Sequence, residues 1–176
     1  IMLPTIKGLS KEEAPFKGCI YFGLMLTKQG VKVIEYNCRF GDPEAQTVLP
    51  MLRSDLLDIM IATEEGRIDE MPVEFKDGVS CCVVIASGGY PKKYAKGYDI
   101  DFSELFGNSP KAQEEAGFET DGGVIVFHAG TTVTHENGDS VYRTNGGRVL
   151  NVVATADTLE DAMEKAYKAA RKIKFK

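Results

Sequence analysis

Glu35, Asn37 and Arg39 alternate along the run Val31-Lys32-Val33-Ile34-Glu35-Tyr36-Asn37-Cys38-Arg39, which is entered from Lys28-Gln29-Gly30. Its start is apolar and β-branched, and it reads as a strand. Side chains two apart on a strand share a face, with about 7 Å between their origins. A strand here points a carboxylate, an amide oxygen and a guanidinium the same way. Carboxylate plus amide carbonyl is a hard-oxygen grip suited to Mg²⁺ carrying substrate phosphates. An arginine beyond it can hold an anion that develops in phosphoryl or acyl transfer. A solvated edge strand with ordinary polar residues outward accounts for the same spacing equally well.

The next residues are Phe40-Gly41-Asp42-Pro43-Glu44. Asp42 and Glu44 can activate an amine or water, or join a metal shell. As an N-cap and a first-turn acid around Pro43 they need no chemistry at all. Arg39 leaves its strand into a glycine-containing loop, where an anion site is easy to build. Gly88-Gly89-Tyr90-Pro91 ends a later strand and can bring backbone N–H groups to an anion, or serve only as a tight turn. His128-Ala129-Gly130-Thr131 and Thr144-Asn145-Gly146-Gly147-Arg148 place polar groups and glycine at strand edges, where a phosphate or ribose fits. A structural histidine and a hairpin turn are the plainer accounts of these two. Neither G-x-x-x-x-G-K-[ST] nor G-x-G-x-x-G occurs, so a P-loop or Rossmann site is not supported. Cys38 faces away from Glu35 and Asn37 if the strand persists, which makes it a core thiol rather than a nucleophile.

These residues need elements to hold them. Residues 1–14 read as a helix tail and a polar turn, and 16–27 as a strand forming a hairpin with 31–37. A short helix follows Pro43. A second opens at Ser54-Asp55, presents Leu56, Ile59 and Met60 on one face, and stops near Gly66. The polar stretch 66–77 is the expected domain boundary, dividing the chain into 1–66 and 67–176. Beyond it, 79–87 reads as a buried strand, 102–106 as a small helix, 123–129 as a strand, and 133–144 as a hairpin around Asn137-Gly138-Asp139. Residues 147–156 form a further strand. Asp157-Thr158-Leu159-Glu160 opens an amphipathic helix with Leu159, Met163, Ala166 and Ala170 inward.

The chain has 176 residues, 43% of them hydrophobic, enough for one ordinary domain or two small ones. Its net charge of −5 carries no overall nucleic-acid footprint. Four cysteines without C-x-x-C spacing and two histidines argue against a zinc site and for reduced, largely buried thiols. No apolar run is long enough to span a bilayer and no signal peptide is evident, so a cytoplasmic protein is expected. The start, Ile1-Met2-Leu3-Pro4-Thr5-Ile6, reads as structured chain cut from a longer protein.

Taken together, the segments around Phe16-Lys17-Gly18-Cys19-Ile20-Tyr21-Phe22-Gly23 and Glu35-Tyr36-Asn37-Cys38-Arg39-Phe40-Gly41-Asp42-Pro43-Glu44 resemble the end of the ATP-grasp region of phosphoribosylamine–glycine ligases. Ser87-Gly88-Gly89-Tyr90-Pro91, Phe127-His128-Ala129-Gly130-Thr131 and Thr144-Asn145-Gly146-Gly147-Arg148-Val149-Leu150 resemble that family's C-terminal domain, in order. The resemblance implies an α+β fold: a remnant of an ATP-grasp sheet with helices, then a small antiparallel β domain closed by a C-terminal helix. It implies a ligase of purine biosynthesis joining glycine to 5-phosphoribosylamine at the expense of ATP. By the same resemblance Glu35 and Asn37 are ligands of Mg²⁺ or Mn²⁺, and Arg39 is the catalytic clamp for an acyl phosphate or substrate phosphate. Asp42, Gly88, Gly89, Gly130, Thr131, Asn145, Gly146, Gly147 and Arg148 would help enclose the substrate. No nucleic acid or membrane partner is implied; the partners are the substrates and the upstream domains of the same chain. One departure stands out: where many ATP-grasp enzymes carry a further metal-binding glutamate on the preceding strand, this chain has Tyr21-Phe22-Gly23-Leu24. Another ATP-grasp carboxylate–amine ligase or carboxylase, or a non-catalytic β-rich binding module, are the competing readings. The fragment by itself is expected to be inactive.

Overall fold

Lys28 and Gln29 turn the chain between β1 (Tyr21–Thr27) and β2 (Gly30–Asn37), which pair antiparallel from Thr27↔Gly30 to Tyr21↔Asn37. Thr27 Oγ1 donates to the Gly30 carbonyl (2.7 Å) and accepts from the Gln29 N–H (3.2 Å), and Gly30 supplies the positive φ of +98°. This computed structural model describes residues 1–12, 16–107, 118–119, 123–136 and 138–175. Asn137 of the expected hairpin and much of the mixed stretch before Gly123 lie outside them.

Contacts divide the chain into two units, Ile1–Ala45 with Leu52–Lys76, and Gln46–Met51 with Asp77–Lys176. The first holds α1 (Met2–Leu9), the β1–β2 ribbon and α3 (Leu56–Glu65); a short helix α2 (Glu44–Val48) follows the ribbon. The Asp55 carboxylate caps α3 by accepting from the Leu57 N–H at 2.8 Å, and Gly66 closes it in the left-handed conformation. After α3 the chain turns back: the Arg53 N–H donates to the Glu74 carbonyl, and the Glu74 N–H to Ser54 Oγ.

The second unit is an antiparallel sheet of order β3-β9-β6-β5, with β3 (Val79–Ala86), β9 (Arg148–Ala156), β6 (Val124–His128) and β5 (Phe118–Glu119). A separate ribbon is made by β7 (Thr131–Glu136) and β8 (Asp139–Thr144), as the hairpin signal required. The short strands β4 (Ile100–Asp101) and β10 (Lys174–Phe175) pair with each other, and α4 (Ser103–Phe106) is the expected small helix. The strand at 79–87 was expected to be buried. It is instead a half-buried edge, and the buried strand is β9, flanked on both sides and buried from Val149 to Ala154.

The closing helix α5 (Leu159–Ala170) is capped by Thr158 Oγ1, which accepts from the Asp161 N–H. Its inward face is corrected by the structure. Ala162, Ala166 and Ala169 are buried, whereas Leu159 and Met163 are exposed. At 100° per residue the buried stripe lies about a quarter turn from the leucine–methionine stripe. Alanines let the helix axis approach Leu150, Val152 and Ala154 of β9 closely, in a core that also takes in Phe102, Val126 and Ile173. Among the described residues, no helix is long and apolar enough to cross a membrane.

Candidate functional site

The register of β1 and β2 slips once. Gly23 pairs with Glu35 and Leu24 with Val33, so Ile34 is an extra residue, a β-bulge. Without it Val31, Val33, Glu35 and Asn37 would share one face. With it, Val33 joins Leu24 on one face, while Glu35 and Asn37 join Gly23 and Tyr21 on the other. The first face is apolar: Phe22 packs edge-on to Tyr36 with ring centroids 5.4 Å apart, and the Tyr36 hydroxyl meets Thr5 of α1 at 3.3 Å. The second gathers the polar groups.

On that face Asn37 Nδ2 donates to Glu35 Oε1 at 3.1 Å. The bond uses the amide's donor and one carboxylate oxygen. Asn37 Oδ1 and Glu35 Oε2 are the acceptors that remain. Gly23 makes the room, since a Cβ there would lie 2.8 Å from Glu35 Cγ. The sequence marked Gly23 only as part of a stretch without the further carboxylate; its role needed the register. Two hard oxygens fit Mg²⁺ or Mn²⁺, ions that keep waters and bind phosphates alongside few protein ligands. No group of three or more His, Cys, Asp or Glu able to hold a metal occurs among the described residues.

Arg39 lies past the end of β2, so strand alternation no longer sets its direction. Its Nη1 donates to the Phe40 carbonyl at 2.7 Å, and the side chain is exposed. Cys38 is likewise beyond the strand and exposed, which corrects the core thiol. None of the four cysteines is in a disulfide; Cys19, Cys81 and Cys82 are half-buried, and burial pushes the Cys19 thiol up from its ordinary value. Glu44 folds over Gly41, where a Cβ would lie 2.2 Å from its Oε2, and burial together with the Glu44 charge pushes the Tyr21 phenol up from its ordinary value. Asp42 is exposed, one residue further from α2 than an N-cap would stand.

The three later glycine motifs come together in the second unit. The chain leaves the sheet at His128, forms the β7–β8 ribbon, and returns at Arg148. The flanking strands β8 and β9 belong to different sheets, so Asn145-Gly146-Gly147 is not the hairpin turn expected of it. It is one side of a neck. The Gly130 N–H donates to the Arg148 carbonyl (2.8 Å) and the Asn145 N–H to the Gly130 carbonyl (2.7 Å). Ser87, buried after β3, donates its Oγ to the Gly146 carbonyl (2.7 Å) and its N–H to the Gly147 carbonyl (2.8 Å). The Tyr90 ring covers Gly147. Gly88, Gly89, Asn145 and Arg148 form an exposed rim, and Thr131 is half-buried.

His128 buttresses this neck. Its Nδ1 lies 3.0 Å from Thr131 Oγ1, its ring stacks on Tyr142 at 4.8 Å, and Phe102 meets it edge-on. Burial holds its pKa below the ordinary 6.5. Between the lowered and ordinary values the unfolded chain binds a proton that the folded one does not, so stability rises with pH there. Acidification from about pH 8 to about pH 5.5 is expected to lower the urea midpoint. His128→Gln should flatten that dependence; an unchanged slope would remove His128 as its source.

The family described as Phosphoribosylglycinamide synthetase, C domain, matches residues 80–176, and Phosphoribosylglycinamide synthetase, ATP-grasp (A) domain, matches residues 1–45. The phosphoribosylamine–glycine ligase of Clostridium acetobutylicum is 43% identical over 175 residues, 99% of this chain and 37% of that protein. A bifunctional purine biosynthetic protein of Pichia angusta is 46% identical over 178 residues, all of this chain and 20% of that one. The crystal structure of phosphoribosylamine–glycine ligase from Thermotoga maritima superposes with a TM-score of 0.71 at 32% identity, covering 97% of this chain and 37% of that one. Fold and ribbon are thus those of the end of an ATP-grasp domain followed by a β-rich C domain. The chain belongs to the phosphoribosylglycinamide synthetase family. It spans about 37% of the length of the curated ligases it matches.

Proposed function

We propose that this chain is the C-terminal part of a phosphoribosylamine–glycine ligase, with a division near residues 66 and 67. The full-length enzyme would convert ATP, 5-phosphoribosylamine and glycine into glycinamide ribonucleotide, ADP and phosphate, in a cytoplasmic setting. The observation that carries this reading is the Glu35–Asn37 pair, set side by side opposite a glycine, in a chain 43% identical to a ligase of that name.

In this reading Glu35 and Asn37 hold Mg²⁺, which supplies charge neutralisation for the transferring phosphoryl group. The γ-phosphoryl group passes from ATP to the glycine carboxylate, releasing ADP. The amine of phosphoribosylamine then attacks the activated carbonyl carbon; the C–N bond forms, the C–O bond to phosphate breaks, and the amine loses a proton. Arg39, with Nη1 donating to the Phe40 carbonyl, would use its other N–H groups to hold the charge that develops on the acyl phosphate. Asp42 belongs to the same loop. The rim of Gly88, Gly89, Thr131, Asn145 and Arg148, braced by Gly130, Gly146 and Gly147, helps enclose the ribose phosphate. Adenine and most triphosphate contacts come from upstream domains. The exposed apolar side chains of the first unit, Leu3 at 72% and Leu26 at 82% among them, are the kind of surface such domains cover.

The test is ADP release by the full-length protein that contains these residues. It is expected to require both glycine and phosphoribosylamine, while the 176-residue chain alone releases none. ADP release indifferent to glycine would overturn the reading, as would robust glycine-dependent release by the isolated chain.

A further inference from the structure

Between Gly78 and Tyr98 the chain carries Lys92, Lys93 and Lys96 and no Asp or Glu, although its net charge is −5. The three lysines are exposed and lie on the loop that joins β3 to β4. The acids that bracket this stretch do not serve them. Asp77 precedes β3, at the strand end remote from the loop. Asp99 accepts from Arg143 Nε at 2.6 Å, and Arg143 Nη1 also donates to Glu136. Among the described residues none of the three lysines has a salt bridge or a hydrogen-bond partner for its ammonium group. Cations left without counter-charge on one loop draw anions to it.

The loop is held against the neck at both ends and between them. It starts at Ser87, bonded to the Gly146 and Gly147 carbonyls. It ends where the Gly97 N–H donates to the Thr144 carbonyl (2.7 Å) and the Thr144 N–H to the Tyr98 carbonyl (2.9 Å). In between, the Tyr90 ring covers Gly147 and Tyr94 meets that ring edge-on, with centroids 6.1 Å apart. The Lys93 carbonyl stands against Gly89, where a Cβ would run into it. The backbone thus sets Lys93 beside Gly88-Gly89 and Lys96 beside Thr144-Asn145, two parts of the exposed rim. The Gly88 and Gly89 N–H groups make no hydrogen bond among the described residues.

We propose that Lys93 and Lys96, with the Gly88 and Gly89 N–H groups, bind the phosphomonoester of a sugar phosphate at this rim. The site rests on the proposed function only for which sugar phosphate it takes, 5-phosphoribosylamine. A phosphomonoester is close to a dianion at neutral pH and offers three strong acceptor oxygens. Two ammonium groups match its charge, and paired backbone N–H groups suit its oxygens. Because the loop is already braced by Tyr90 and Tyr94, little ordering is left for the ligand to drive. Nucleotide phosphates carry the same chemistry, so the test separates the two.

Full-length protein is titrated with ribose 5-phosphate, ribose and ADP by calorimetry. Ribose 5-phosphate is expected to bind, less tightly as salt is raised, and ribose is not. Lys93→Gln and Lys96→Gln should each weaken ribose 5-phosphate about tenfold and leave ADP binding unchanged. In turnover both should raise KM for phosphoribosylamine by a similar factor, with kcat and KM for ATP nearly unmoved. Lys165→Gln, which removes the same charge from α5, should do none of this. Unaltered ribose 5-phosphate affinity in both loop variants overturns the site, as does a parent protein that binds ribose equally well. An equal loss in Lys165→Gln overturns it too, since net charge alone would then explain the effect. Loss of ADP binding in its place would give the lysines to the nucleotide and end the sugar-phosphate assignment. Failure of the proposed function shows differently, as ADP release indifferent to glycine, and leaves the lysine-dependent binding of ribose 5-phosphate standing.

Discussion

Gly130→Ala is expected to destabilise the C-terminal unit by about 3 kcal/mol, the upper range for forcing atoms into packed space, and to lower its melting temperature by roughly 10 °C or more. The φ of Gly130 is not in the left-handed region, so backbone strain is not the reason. Space is. A Cβ would lie 2.5 Å from the Arg148 carbonyl oxygen and 2.6 Å from Gly146 Cα, both backbone atoms that no rotamer change can move. The neck hydrogen bonds from Gly130 and Asn145 would have to lengthen to admit a methyl group. The lower entropy of alanine in the unfolded chain returns only about 0.4–1 kcal/mol. Gly88→Ala is the control. Nothing lies within 4 Å of its added Cβ, and the residue is exposed. Its stability should change by less than about 0.5 kcal/mol, so any loss of turnover there would report on a ligand. Calorimetry of both variants decides the matter, and a Gly130→Ala protein as stable as Gly88→Ala would refute the account of the neck.

The contrast shows what was legible in the chain. Local signals worked: Asp55 and Gly66 bound α3, Thr158 caps α5, and the short Lys28-Gln29-Gly30 connection makes the hairpin. Each depends on neighbours a few residues away. The grouping of glycine with polar residues at strand ends was visible too, but not that the motifs meet. Gly130 touches Gly146 because two strands leave and re-enter one sheet, a fact of topology. The face of α5 was misjudged because Leu159 and Met163 are more hydrophobic than alanine. A helix packed tightly on a sheet buries its small residues instead. Alternation along β2 was right for Glu35 and Asn37 and blind to Ile34, since a bulge exists only relative to a partner strand. Cys38 and Arg39 escaped the same rule because the strand stops at Asn37.

Glu35→Gln in the full-length protein is expected to cut glycine-dependent turnover about a thousandfold, as follows from several kcal/mol of metal stabilisation at tenfold per 1.36 kcal/mol. Glutamine preserves shape and can still accept from Asn37 Nδ2, so the ribbon should fold unchanged. What it removes is the negative charge beside Asn37 Oδ1. Asn37→Ala removes a neutral oxygen and frees Glu35 from its partner; a loss of roughly 10–100-fold is expected. Gly23→Ala leaves both ligands in place but sets a methyl group 2.8 Å from Glu35 Cγ. It should raise the Mg²⁺ concentration needed for half-maximal rate while leaving the maximal rate closer to normal. That ordering separates a metal grip from a polar strand edge. An ordinary edge has no reason to rank charge above oxygen, or oxygen above a displaced but intact carboxylate. Mg²⁺ titrations of the three variants, read alongside Mn²⁺ binding by electron paramagnetic resonance, test the order directly. Equal turnover at equal Mg²⁺ in Glu35→Gln and the parent would leave the pair as two solvated side chains on a ribbon and move the metal elsewhere in the full-length enzyme.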